Sequence, residues 1–161
     1  MARKSIFVSD LSGEEIPDLL QKLASEHPDT DPFLASVNRY HRQEEARHLA
    51  FARMVLPEVW QRASLADRIM VHHVAPVLIR EMYENMTHAG VFEAVGLPGV
   101  PTWRAARNHP GRVEVRVEAT RPVLSTLIDA GAIERGKVPR AWQGLCAVDP
   151  AGQPREPDAT C

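Results

Sequence analysis

The stretch from Asp31 to Trp60 constrains this chain more than any other. Asp31 followed by Pro32 reads as a helix N-cap and first helical position: the Asp side chain accepts from unpaired N–H groups, and proline loses no bond there. Leu34, Val37, His41, Glu45, His48, Ala52, Val55 and Val59 then recur at steps of three and four. That period is the seam of one long helix over about 32–60. Three of the seam residues are of kinds that a core excludes. A buried carboxylate or imidazole is expensive without a partner, so His41, Glu45 and His48 need something that compensates all of them.

A divalent metal does this well, because it binds carboxylate and neutral imidazole. Glu45 and His48 are three residues apart and share one side of the helix, separated by about 4.5 Å along its axis. His41 lies one turn earlier on the same stripe. Ligands spread over two turns suit a pair of metals about 3.5–4 Å apart better than one ion. Glu-x-x-His on a bundle helix is the pattern of diiron and dimanganese carboxylate proteins. Mixed imidazole and carboxylate ligation favours iron in an oxygen-activating site, with manganese as an alternative. The bland reading makes Glu44, Glu45 and Arg47 a solvated face and each His a satisfied core residue. It is weaker here because the polar residues fall on the apolar seam rather than opposite it.

The rest of the chain is also helical in pattern. Ser12-Gly13-Glu14-Glu15 resembles a capping box. Ile16, Leu19, Leu20 and Leu23 follow at helical spacing, and residues 26–31 read as a loop. Ser64 to Asp67 forms a second capping box, opening a helix expected to reach about Gly90 with a kink at Pro76. Gly96 to Pro101 reads as a loop, and Thr102 to Arg107 as a short helix. A further helix, with apolar positions Val113, Val117, Val123, Leu124, Leu127 and Ile128, should end before Gly131. His72 and His73 read as packing or surface residues, and Glu84 and His88 have the wrong spacing for the metal motif. Strand signal is weak throughout. The expectation is an all-α protein with one helical domain over 1–149 and a flexible tail over 150–161.

Composition sets the class. The 161 residues are 44% hydrophobic and 25% charged, as in an ordinary globular domain. The net charge of −2 gives no reason to expect a nucleic-acid partner. No apolar run reaches the roughly 18 residues of a membrane span. The apolar stretch after Arg3 and Lys4 is too short for a signal peptide, so the expected location is the cytoplasm. Cys146 and Cys161 have no metal-binding spacing, which leaves His and carboxylate as the ligands.

The segment from Tyr40 to Arg53, YHRQEEARHLAFAR, resembles the second metal-binding helix of the p-aminobenzoate N-oxygenase (AurF-like) family of non-haem diiron oxygenases. The matching ligand positions are His41, Glu45 and His48, with Arg47 and Phe51 inside the phrase. Asp31-Pro32 precedes the helix as in that family, and Arg140 to Asp149 resembles its C-terminal end. The resemblance implies a ferritin-like helical bundle of which this chain carries the second half. It implies oxidation (N-oxygenation) of a small substrate, notably an aryl amine, by two irons and dioxygen. One further ligand, a Glu some thirty residues before the motif Glu, would fall on Glu14 or Glu15, and Glu15 is preferred for its place nearer the apolar face. A second Glu-x-x-His is missing from the sequence. The expectation is that a homodimer or a second chain supplies the remaining ligands. The alternative is a metal-binding or structural bundle, or an inactive remnant of such an oxygenase. No catalytic residue beyond the ligands and no substrate-reading motif is identifiable.

Overall fold

The computed structural model describes residues 17–155. Helix α1 is described over 17–26. Thr30 Oγ1 donates to Ala24 O at 2.7 Å and ties the following turn to the helix end. Helix α2 is Pro32–Gln61, with Pro32 in its first turn. The Asp31 carboxylate accepts from Phe33 N at 2.9 Å and Leu34 N at 3.2 Å, so two of the unpaired first-turn N–H groups are satisfied as expected. Pro57 interrupts the ladder without ending the helix.

The single kinked helix expected from Ser64 to about Gly90 is instead three consecutive segments. These are α3 (Leu65–Ile69), a π-helical turn (Met70–Val74) and α4 (Ala75–Asn85). The Ser64 capping box is present, with Asp67 as its reciprocal partner. The break has a physical cause at Pro76. Ala75 N–H reaches back five residues to Met70 O. A ladder of that step would next pair Val71 O with residue 76, which has no N–H. Trp142 Nε1 takes that place, donating to Val71 O at 2.9 Å.

Helices α5 (Ala89–Ala94) and α6 (Gly99–Arg107) follow. At six residues, α5 is too short to show a period in the sequence. Helix α6 begins inside the stretch expected to be loop, with Pro98 as its N-cap. Helix α7 (Pro110–Asp129) ends as expected at Gly131, which adopts φ 70°. Gly131 N bonds to Ile128 O and Ala132 N to Leu127 O, so the last carbonyls are satisfied by a Schellman turn. Helix α8 (Arg140–Cys146) packs against α4 and α7. Beyond it the backbone turns back, with Val138 N bonded to Pro150 O and Arg155 N to Ala147 O. Residues 156–161 lie outside the described part. The described residues contain no strand, only an isolated bridge between Val148 and Pro154, and the protein is all-α. No described helix is long and apolar enough to cross a membrane.

The core gathers Leu49, Leu56 and Trp60 of α2 with Val71, Ile79, Leu124, Leu127, Ile133, Trp142 and Leu145. Burying a side chain of this size contributes about 1.5–3 kcal/mol. The residues that α2 buries, Ala35, Leu49, Ala52, Leu56 and Trp60, lie mainly one position round from the expected seam. Leu34 and Val37 of that seam are exposed, as are Phe33, Tyr40, Phe51 and Met54. The reason is that the core covers one face of the C-terminal half of α2, whereas in the N-terminal half only Ala35 is buried among the described residues.

Trp142→Phe should keep most of the packing but leave Val71 O without its donor in a buried place. The expected cost is about 1–3 kcal/mol. Equilibrium urea unfolding measures it, as a lower midpoint with an unchanged slope.

Candidate metal centre

The N-terminal half of α2 brings His41, Glu45 and His48 together on one face. His41 Nε2 lies 3.4 Å from Glu45 Oε1, and His48 Nδ1 lies 3.5 Å from Glu45 Oε2. Both separations are longer than a good hydrogen bond. The Glu45 side chain is 15% exposed, whereas those of His41 and His48 are 53% and 63% exposed. The carboxylate is therefore sunk between two rings that reach outward. Its Oε2 is buried and has no hydrogen-bond partner among the described residues.

Helix α1 adds two polar side chains beside the stripe. Asp18 accepts from Arg42 Nε at 2.8 Å and from Nη2 at 3.4 Å, which clamps α1 to α2 beside the stripe. One turn on, Gln21 Oε1 lies 3.1 Å from His41 Nδ1. Neither Asp18 nor Gln21 was singled out by sequence reasoning. Their spacing of three places them on one face of α1, but nothing in the sequence says which helix that face meets. Glu14 and Glu15 lie outside the described residues.

The donor types are ones that iron accepts. Two imidazoles and a carboxylate are appropriate donors, and the partnerless Oε2 is the atom that a cation would satisfy. Among the described residues, no group of three or more His, Cys, Asp and Glu side chains could hold a metal ion as it stands. The reason is visible in the geometry: each imidazole nitrogen faces a different oxygen of Glu45 rather than one common point. The solvated-face reading describes Glu44 and Arg47, which pair at 3.2 Å at the surface, but not Glu45.

The other candidates have structural work. His72 Nε2 is 2.7 Å from Ala132 O, and its ring lies 6.1 Å from that of Trp60, while His73 is exposed. His88 caps α5 by accepting from Gly90 N. Glu84 is tied to Arg107 and lies 3.6 Å from Arg116. Burial holds the Arg116 guanidinium below its usual pKa, neighbouring Arg80 adds to this, and Glu84 opposes it. Cys146 is fully buried, and burial pushes its thiol up to about 11 against the lowering effect of the Thr120 contact, so it offers no thiolate.

A sequence model of the family described as p-aminobenzoate N-oxygenase AurF matches residues 1–131. The match takes in the whole α2 stripe and stops before α8, so the Arg140–Asp149 likeness lies outside it. No curated protein matches the chain, and no solved structure does.

A side chain kept for a ligand rather than for the fold leaves a thermodynamic trace. Glu45→Leu in metal-free protein removes a covered carboxylate oxygen that has no donor, and should stabilise the chain by about 1 kcal/mol. Urea unfolding under chelator reads it. A destabilised variant would show that the carboxylate serves the fold.

Proposed function

The chain belongs to the p-aminobenzoate N-oxygenase family, and from that premise we propose that it holds iron through His41, Glu45 and His48 and serves the oxidation of a small substrate, an aryl amine above all, with dioxygen. The observation that carries the reading is the convergence of two imidazoles on a sunken carboxylate whose Oε2 has no hydrogen-bond partner among the described residues. Two irons held there would supply the reduction of dioxygen. The chain's own contribution is to place donors. Glu45 offers one oxygen toward each His, so a single side chain can serve two metal positions. The His41 and His48 side chains are 53% and 63% exposed, so further ligands would arrive on that side. Glu15, or Glu14, is the proposed additional carboxylate. Nothing in the geometry favours manganese over iron.

We propose that another polypeptide supplies the remaining ligands, since no group of three or more donor side chains among the described residues could hold a metal as it stands. In a two-fold homodimer each copy would bring Glu15, His41, Glu45 and His48 to the axis. In a heterodimer, a second chain would bring the Glu-x-x-His helix that this sequence lacks. Either arrangement would also cover Leu34, Val37 and Tyr40, which lie exposed beside the ligands. The second reading, a metal-binding or structural bundle without oxygenase activity, is favoured by the same half-filled donor set. Dioxygen consumption by the assembled, iron-loaded protein separates the two.

Purified chain titrated anaerobically with ferrous iron should take up metal and melt higher, by about 2.7 kcal/mol of added stability at a hundredfold excess over Kd. Glu45→Ala should lose the uptake while keeping its helical circular dichroism. Wild-type protein that holds no iron would overturn the reading.

Sedimentation with and without ferrous iron tests the need for a partner. The expected result is heavier, iron-dependent species, or activity only after a second chain is added. A monomer that binds iron and consumes dioxygen would sink the partner requirement.

A further inference from the structure

We propose that Gln21 is a positioning residue for His41, holding the ring as the Nδ1–H tautomer so that Nε2 is the atom offered to a metal. The inference rests on the iron reading above and deepens it by assigning the surroundings of one ligand.

The geometry is specific. His41 Nδ1 lies 3.1 Å from Gln21 Oε1, within hydrogen-bond reach, while Nε2 lies 3.4 Å from Glu45 Oε1. A neutral imidazole carries one N–H, and a carbonyl oxygen can only accept. With Gln21 Oε1 on Nδ1, the proton sits on Nδ1, and Nε2 turns a lone pair toward Glu45. Two acceptors then face each other, an arrangement that a cation between them resolves. The alternative tautomer closes the site on itself: Nε2–H would donate to Glu45, and both ligands would be consumed by one another. Gln21 works against that closure.

Its own placement is secured independently. Asp18, one turn before Gln21, pairs with Arg42, the residue next to His41, at 2.8 Å. The Asp18–Arg42 pair is 29% exposed on each side chain, so it is a partly covered clamp rather than a loose surface contact. Imidazole ligands generally donate their second N–H to an oxygen, and losing that oxygen typically weakens metal binding about 10–100-fold.

The test uses two variants and two measurements. Gln21→Leu removes the acceptor with little change in size, and Gln21→Glu keeps an acceptor at the same reach. Nitrogen-15 NMR of the His41 ring in metal-free protein reads the tautomer, and anaerobic ferrous titration reads affinity. The expected result is Nδ1–H in the wild type, Nε2–H in Gln21→Leu with iron binding about 10–100-fold weaker, and recovery of both in Gln21→Glu. A wild-type ring found as Nε2–H, which a Gln21 amide turned the other way would produce, overturns the proposal. So does a Gln21→Leu chain that binds iron within twofold of wild type. A wild-type chain that shows Nδ1–H but takes up no iron would sink the iron reading alone and uphold the tautomer assignment.

Discussion

Everything in this structure that points beyond a plain helical domain depends on one atom, the buried Oε2 of Glu45. A covered carboxylate oxygen with no hydrogen-bond donor among the described residues is costly, because it has given up water. The His48 ring does not fully repair this, since its Nδ1 stands 3.5 Å away, beyond good hydrogen-bond distance. The cost is stable only if the rest of the chain can bear it. It is borne by a core that lies elsewhere: Leu49, Leu56 and Trp60 on the far half of the same helix, closed by Trp142 and Leu145. The C-terminal part of the helix therefore anchors it, and on the proposed reading the stretch from His41 to His48 would present ligands.

The anchor has its own constraint. Pro76 leaves Val71 O without a backbone donor, and the indole of Trp142 supplies one across a sequence separation of 71 residues. Trp142 is fully buried, so the bond forms in a place where water cannot substitute for it. This contact joins the last helix to the middle of the fold. It lets α8 close the core, although the family match ends before α8 begins.

The sequence made α2 legible because its signals are local, an Asp-Pro start and a helical period. The same holds for the Ser64 cap and the Gly131 stop. The polar residues expected on a buried seam are instead exposed at His41 and His48, with only Glu45 sunk. What was not legible depends on long-range partners. The π-turn requires knowing that Trp142 can replace the N–H that Pro76 lacks. The buried stripe of α2 lies one position round from the expected seam because the choice between neighbouring faces is made by where the core forms, not by the helix. Within the site, His41, Glu45 and His48 were read from spacing, and the structure brings them together. Gln21 and Asp18 were missed because a polar residue on a short amphipathic helix carries no mark of its target. Glu15 falls outside the described residues.

Two features of α2 are usually treated apart but here have one solution. Leu34, Val37 and Tyr40 leave apolar surface in water, and the adjoining His41, Glu45 and His48 offer donors on one side only. A partner that covers the apolar residues necessarily approaches the ligands, since all lie within a few turns of the same helix. Burial of the flanks would exclude water from the carboxylate and make its lack of a donor more costly still. Assembly without a cation is thereby penalised, and assembly with one is favoured. Linkage then requires the converse: whatever factor by which the cation tightens the partner is the factor by which the partner tightens the cation. An exposed half-site is, on this argument, a weak site by construction. Such a site would hold metal more weakly in the lone chain than where the remaining ligands are already present.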